Sequence, residues 1–420
     1  MSGTIQHSES CQDSDDSSIG MARAIELIRT RIKPISGFQS VALREALGRR
    51  VAEPVISPMN VTAHRNSAMD GYALRGSDLP PQGERTLRLI GTAFAGRPFD
   101  GPVQQGECVR IMTGAKMPDD CDSVVIQERA RVEGERVSID HSNRAGQNVR
   151  QAGEDIAVGA ELFPSGRQLG AAQLGLLASL GIAEVRVRRR ARVAFFSSGD
   201  EIRSIGEPLA EGQIYDSNRY TLYGMLQRLG VEPVDLGVIP DREQEITAAL
   251  EAAAVEADMI LTSGGVSVGE ADHVVAALRR LGRIHFSKVA IKPGRPLTFG
   301  HIGETPFFGL PGNPVAVMIT FLQFTRLAIL QLMGAEALAP PTFTVRCRSQ
   351  LRKSPGRTEF QRGLLQRSES GELCVVSSGR QGSGILSSMS DADCFILLPE
   401  TAGSFSVDDR VQVQPLALFD

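Results

Sequence analysis

A chain of 420 residues is too long for one ordinary hydrophobic core, so two to four domains are expected. Hydrophobic residues at 42% and charged residues at 22% are typical of a soluble globular protein, and a net charge of -4 argues against a general nucleic-acid binder. Aromatic residues make up only 5%, with no Trp, so surfaces for stacking single-stranded bases are poorly supplied.

The first 20 residues open with a Ser/Asp/Gln-rich tract that reads as a disordered tail, with no basic-then-apolar signal pattern. Met21 to Lys33 carries Ile25, Leu27, Ile28 and Ile32 at helical spacing and stops at Pro34. A second helix is expected over Ser40–Arg49, with Val41, Leu43, Ala46 and Leu47 as its apolar side. Residues 58–151 read as β-rich, including a hairpin over Arg131–Ile139. Ala171 to Leu180 predicts a small helix closed by Gly181. The basic stretch Arg186 to Arg192 reads as a solvated strand-linker at a domain junction rather than a nucleic-acid patch.

From 191 to 336, short apolar runs alternate with helical patterns. Strands are expected at Val193–Phe196, Val234–Ile239 and Met259–Leu261, with helices at Ser217–Leu229, Arg242–Ala254 and Ala271–Leu281. This alternation implies right-handed crossovers and a mostly parallel sheet. From 337 to 420 several short strands predict a small closing β-barrel or sandwich. No apolar run reads as long enough to span a bilayer. The six cysteines are scattered without a C-x-x-C pair, which argues against a zinc site or disulfide framework and fits a reducing cytoplasm.

Three Gly/Pro-rich loops, each after an apolar run, carry the chemistry. In Thr262 to Asp272, Gly264, Gly265 and Gly269 permit close backbone approach, and Ser263 and Ser267 offer hydroxyls ahead of a helix whose free N–H groups favour an anion. The spacing is neither a Walker loop nor a dinucleotide fingerprint. Lys288 and Lys292, at even spacing on one apparent strand, are expected to leave the same face toward a polyanion. In Leu310 to Pro314, Asn313 reads as an N-cap and Pro314 as the first helical residue. Earlier, Ser197 to Glu201 places Asp200 and Glu201 just beyond a strand, where a hard divalent cation could take carboxylate and phosphate oxygens. Ligands of open α/β sheets bind beyond the strands' carboxyl ends, so these loops point to a phosphorylated ligand. Each loop also has a plain structural reading as a turn or helix cap.

The runs Asn66 to Ala73, Ile111 to Ala115, Gly153 to Ile156, Ser198 to Glu201, Gly212 to Asn218, Thr262 to Gly269 and Leu310 to Pro314 resemble those of the MoeA-type molybdopterin molybdenumtransferases, which include the gephyrin E domain. The resemblance runs in order from Met21 onward. It implies an elongated α/β multidomain protein. A central three-layer domain at 191–336, similar to the molybdopterin adenylyltransferases, would accompany β-rich domains at 58–151 and 337–420. A mixed α/β domain would join 21–57 to 152–190. It further implies insertion of molybdate into adenylylated molybdopterin with release of AMP, a Mg²⁺ requirement, and a cytoplasmic homodimer with a shared site. Transient contact with a molybdopterin adenylyltransferase and apo-molybdoenzymes, but not with nucleic acid or membrane, would follow.

By motif, the resemblance assigns catalytic roles to Asp70, Asp155, Glu201, Asp241, Asp272, Lys288 and Lys292. Ligand contacts fall on Thr113, Ser198, Gly199, Ser263, Gly264, Gly265, Ser267, Gly269, Pro311, Gly312, Asn313 and Pro314, and the metal on Asp200 and Glu201. Arg362 and Ser383 to Ser388 are candidates for anion contact, and Arg150 is a further candidate. Two other readings stay open: a molybdopterin adenylyltransferase, and a non-catalytic pterin-binding scaffold or carrier.

Overall fold

The computed structural model describes residues 18–265, 273–335 and 338–419. The chain divides into two compact units, one formed up to Gly37 and again from Arg188, the other from Phe38 to Val187.

The first unit is built on six strands: β1 (Arg192–Ser198), β2 (Glu232–Ile239), β3 (Met259–Ser263), β4 (Gly282–Lys288), β5 (Pro296–Ile302) and β6 (Thr305–Leu310). Helices α1 (Ser217–Arg228), α2 (Glu243–Glu256), α3 (His273–Leu281) and α4 (Pro314–Thr320) accompany them. The sheet order is β2-β1-β3-β6-β5-β4. The β2-β1-β3-β6 pairings are parallel, whereas β6-β5 and β5-β4 are antiparallel. Val193 to Phe196 is a continuous apolar run because both faces of the sheet are covered. Alternation sends Val193 and Phe195 to a core with Leu222 and Leu226 of α1, and Ala194 and Phe196 to a core with Ile246, Leu250, Val274 and Leu278 of α2 and α3. Each such Leu or Phe contributes about 1.5–3 kcal/mol by leaving water.

The N-terminal helix Met21–Arg31 buries Ala24 and Ile28 in the first of these cores. The tail was expected to reach residue 20, but Ile19 bridges Val289 and Ser18 accepts a hydrogen bond from Arg295. From Pro314 to Leu332 the helix is continuous through a π-turn at Phe321–Thr325. At 19 residues and mean hydropathy 1.7 it is long and apolar enough to cross a membrane, contrary to the sequence reading. Within its apolar window 78% is buried in the protein, as befits a core helix. Strands Phe343–Cys347, Thr358–Arg367, Leu373–Ser377, Cys394–Leu398 and Arg410–Pro415 pair in a closed ring, the expected barrel.

The second unit holds a six-stranded sheet ordered Ser123–Ile126, Gly71–Leu74, Glu107–Ile111, Glu84–Ala93, Arg136–Asp140, Ala130–Glu133, the last two being the expected hairpin. A smaller core gathers Ala46, Val51, Phe163, Leu169, Leu177 and Val187. The helix expected over Ser40–Arg49 is absent. Phe38–Ala42 is a strand paired with Glu184–Arg188, and only Leu43–Ala46 makes a 3₁₀ turn. A ten-residue helix is marginal alone, and the available strand edge outweighs its weak pattern.

The arginines of 186–192 are not merely solvated. Arg186 lies over the Phe38 ring and pairs with Glu53, Arg189 pairs with Asp258, and Arg192 pairs with Glu232.

Candidate active site

The carboxyl ends of β1, β2, β3 and β6 open on one cleft of about 730 Å³. From β1 come Ser198, Gly199 and Glu201; Asp241 follows β2; Ser263, Gly264 and Gly265 follow β3; Pro311 to Pro314 follow β6. Loops that the sequence separates by more than a hundred residues therefore converge as expected for a parallel sheet.

The loops are locked by hydrogen bonds and close packing. Ser198 Oγ donates to Asp241 Oδ1 at 3.3 Å. Gly264 adopts φ +87°, and a Cβ there would meet the Ser198 carbonyl oxygen at 2.4 Å, so only glycine lets the two loops approach. Asn313 does stand at the N-cap of α4 with Pro314 first in the helix, but its side chain makes no capping bond. The Val315 N–H instead reaches Ser383 O at 3.1 Å, tying the helix start to the barrel loop.

Asp216 and Asn218 are among the cleft residues that the sequence reading does not single out. Asp216 caps α1 through Oδ1, which accepts from Arg219 N at 3.0 Å. Asn218 donates from Nδ2 to Ser263 Oγ at 2.8 Å and to Gly312 O at 2.7 Å, joining three loops. The signal was an Asp-Ser-Asn run before a helix, which reads first as a cap.

Several expectations are corrected. Asp200 is exposed and does not line the cleft; its carbonyl accepts from Arg203. Among the described residues, the carboxylates that line the cleft are Glu201, Asp216 and Asp241. Lys288 and Lys292 do not share a strand face. Lys288 ends β4 opposite Pro296, the chain then turns through Val289–Arg295 and Ile291–Val289 hydrogen bonds, and Ile291–Lys292 pairs with Thr358–Glu359 of the barrel. Lys292 lies 3.2 Å from Glu359 Oε1 in a second cleft of about 320 Å³. Arg362 is 1% exposed, and burial pushes its pKa down to about 10. It donates to Ser388 Oγ, Arg380 O and Gly382 O, so its guanidinium braces this barrel loop. Ser267, Gly269 and Asp272 lie outside the described residues.

In the second unit, Asp70 and Thr113 meet directly, with the Thr113 hydroxyl and N–H both on Asp70 Oδ1. Asp155 is an exposed residue beside the Val61–Ile156 bridge, and Arg150 pairs in register with Asn66.

Among the described residues no group of three or more His, Cys, Asp or Glu could hold a metal by itself. Glu201 and Asp241 both line the cleft, carboxylates of the kind a hard cation takes together with water and phosphate oxygens.

Residues 19–181 match the MoeA N-terminal region (domain I and II), 195–331 a probable molybdopterin binding domain, and 344–416 the MoeA C-terminal region (domain IV). Over 375 residues the chain is 44% identical to the molybdopterin molybdenumtransferase of Haemophilus influenzae, covering 89% of this chain and 92% of that one. The chain belongs to the MoeA family. Within it, identity to the molybdopterin molybdenumtransferase of Nostoc is 36%, over 86% of this chain and 84% of the relative. A crystal structure of the molybdopterin biosynthesis MoeA protein from Pyrococcus horikoshii superposes with TM-score 0.82 at 28% identity, covering 95% of this chain and all of that one. The MoeA fold is thus shared across both units.

Proposed function

We propose that this chain is a molybdopterin molybdenumtransferase that inserts molybdate into the dithiolene of adenylylated molybdopterin and releases AMP. The observation that carries the reading is the meeting of Ser198, Glu201, Asp241, Gly264 and Pro311 to Pro314 around one cleft, in a chain 44% identical to an enzyme of that name. Gly264 and Gly265 let backbone approach the ligand's phosphates. Glu201 and Asp241 would hold Mg²⁺, whose chemistry is stabilisation of the charge that develops as the phosphoanhydride breaks. Lys292, paired with Glu359, lines the second cleft. Catalysis is then mostly positioning and electrostatics.

The reading includes a cytoplasmic homodimer with a shared site, the Asp70 segment being supplied by a partner copy, and passing contacts with the adenylyltransferase and with apo-molybdoenzymes. Mixing inactive Asp70→Ala and Glu201→Ala subunits tests the sharing, since one intact site per heterodimer should restore activity.

Purified protein incubated with adenylylated molybdopterin, molybdate and Mg²⁺ should release AMP and yield a product that reconstitutes an apo-molybdoenzyme. Formation of adenylylated molybdopterin from ATP and free molybdopterin, without molybdate-dependent AMP release, would favour the adenylyltransferase. Tight binding without turnover would favour the carrier.

A further inference from the structure

Asn218 stands in the first turn of α1 and is 8% exposed. Its amide is fixed in orientation: Gly312 O can only accept, so the atom 2.7 Å from it must be Nδ2. The second Nδ2 hydrogen goes to Ser263 Oγ. Both donors are spent on the loops, and among the described residues the buried acceptor Oδ1 has no hydrogen-bond donor. Two residues earlier, Asp216 uses Oδ1 as a cap, and its buried Oδ2 has no hydrogen bond among the described residues, lying 3.9 Å from Arg219 Nε. Both residues line the 730 Å³ cleft.

A buried acceptor left unpaired costs about 1–3 kcal/mol, so Asn218 Oδ1 calls for a donor that arrives from outside, and Asp216 Oδ2, held only by the long ion pair to Arg219, can take a second. A carboxylate and an amide oxygen cannot recognise phosphate or molybdate, which are acceptors themselves. They suit a planar heterocycle edge bearing N–H groups on neighbouring atoms. Of the two heterocycles in adenylylated molybdopterin, the 2-amino-4-oxo ring of the pterin offers an amine and a ring N–H side by side, whereas adenine offers one amine flanked by acceptors.

We propose that Asn218 is a specificity-determining residue for the pterin: its Oδ1 accepts a hydrogen bond from the 2-amino group while its Nδ2 holds the Ser263 and Gly312 loops in place. Asp216 Oδ2 completes the edge. The proposal rests on the reading that this cleft binds the pterin nucleotide. No proton is transferred; Asn218 orients the ring so that the phosphates reach the Gly264 loop.

The test uses two synthetic ligands in which AMP is joined through a pyrophosphate to 6-hydroxymethylpterin or to 6-hydroxymethyllumazine; the lumazine carries a carbonyl in place of the 2-amino group and, with it, an N–H at N1. Wild-type full-length protein should bind the pterin conjugate about tenfold or more tightly than the lumazine conjugate, because the carbonyl would face Oδ1 acceptor to acceptor. Asn218→Ala should weaken both ligands and bring the ratio to about one. Asn218→Asp keeps an acceptor while losing the bracing donors, so it should weaken both yet preserve the ratio. A merely structural Asn218 would lower both affinities together in the alanine variant and leave the ratio untouched. A wild-type ratio near one, or a wild-type ratio retained in Asn218→Ala, overturns the proposal even if molybdate-dependent AMP release is intact. Failure of wild-type protein to bind either conjugate, with no AMP release, overturns the functional reading itself.

Discussion

Asp70 and Thr113 meet on a single oxygen: the Thr113 backbone N–H at 2.7 Å and its hydroxyl at 2.6 Å both donate to Asp70 Oδ1. The hydroxyl bond first, then the backbone bond and the nearby Arg110 charge, hold the Asp70 carboxyl below its ordinary range. Thr113→Val keeps the side-chain shape and removes the hydroxyl. The Asp70 pKa should then rise, observable by carboxyl carbon NMR. Because less of the group is ionised at a given pH, the acid limb of the activity profile should move to higher pH, and Thr113→Ser should restore it. An unmoved limb would remove Asp70 from the reaction.

The pair Arg189–Asp258 fastens the strand entering β1. Arg189 donates to both Asp258 oxygens at 2.6 Å, and Arg192 N adds a third bond at 2.8 Å. Burial disfavours the ionised carboxyl, but the Arg189 and Arg192 bonds outweigh it and keep its pKa low. The stabilisation is therefore present above the ordinary carboxylate range and disappears as pH falls through the depressed folded value. Asp258→Asn should cost about 2 kcal/mol at pH 7 by urea unfolding, with the difference from wild type shrinking toward pH 3.

Gly264→Ala should disable the cleft. Its Cβ would have to displace the Ser198 carbonyl, and φ +87° disfavours any side chain. The expected result is a loss of about 1–3 kcal/mol in stability together with at least tenfold weaker nucleotide binding, read by calorimetry. Gly206→Ala, also at positive φ but with open space around the added methyl, should cost only the backbone strain.

Cys108, Cys121 and Cys394 should resist thiol reagents until the protein unfolds. Burial pushes each thiol up to about 12, which suppresses the thiolate that reacts. Rapid labelling of these three in native protein would contradict their burial, and mass spectrometry of alkylated peptides reads it directly.

Much of this arrangement is legible in the sequence, for identifiable reasons. Val193 to Phe196 and Met259 to Leu261 announced buried parallel strands because two-sided burial leaves a continuous apolar run. The glycines at 264 and 265 announced close approach because their conformation excludes side chains. What escaped depended on pairing. Even spacing placed Lys288 and Lys292 on one face, but the strand breaks between them and Lys292 joins the barrel. Asp200 looked equivalent to its neighbour Glu201, yet only the latter faces the cleft. The role of Asn218 was invisible because its partners, Ser263 and Gly312, lie 45 and 94 residues away.

The central claim, that the loops at the ends of the parallel strands perform molybdate-dependent cleavage of the pterin nucleotide, is tested most directly by single-turnover AMP release from adenylylated molybdopterin in wild-type and Glu201→Ala protein. Wild type should release AMP only when molybdate and Mg²⁺ are present. The variant should still bind the nucleotide while its release rate falls by about a hundredfold or more. Undiminished release by Glu201→Ala, or release by wild type that ignores molybdate, would contradict the account.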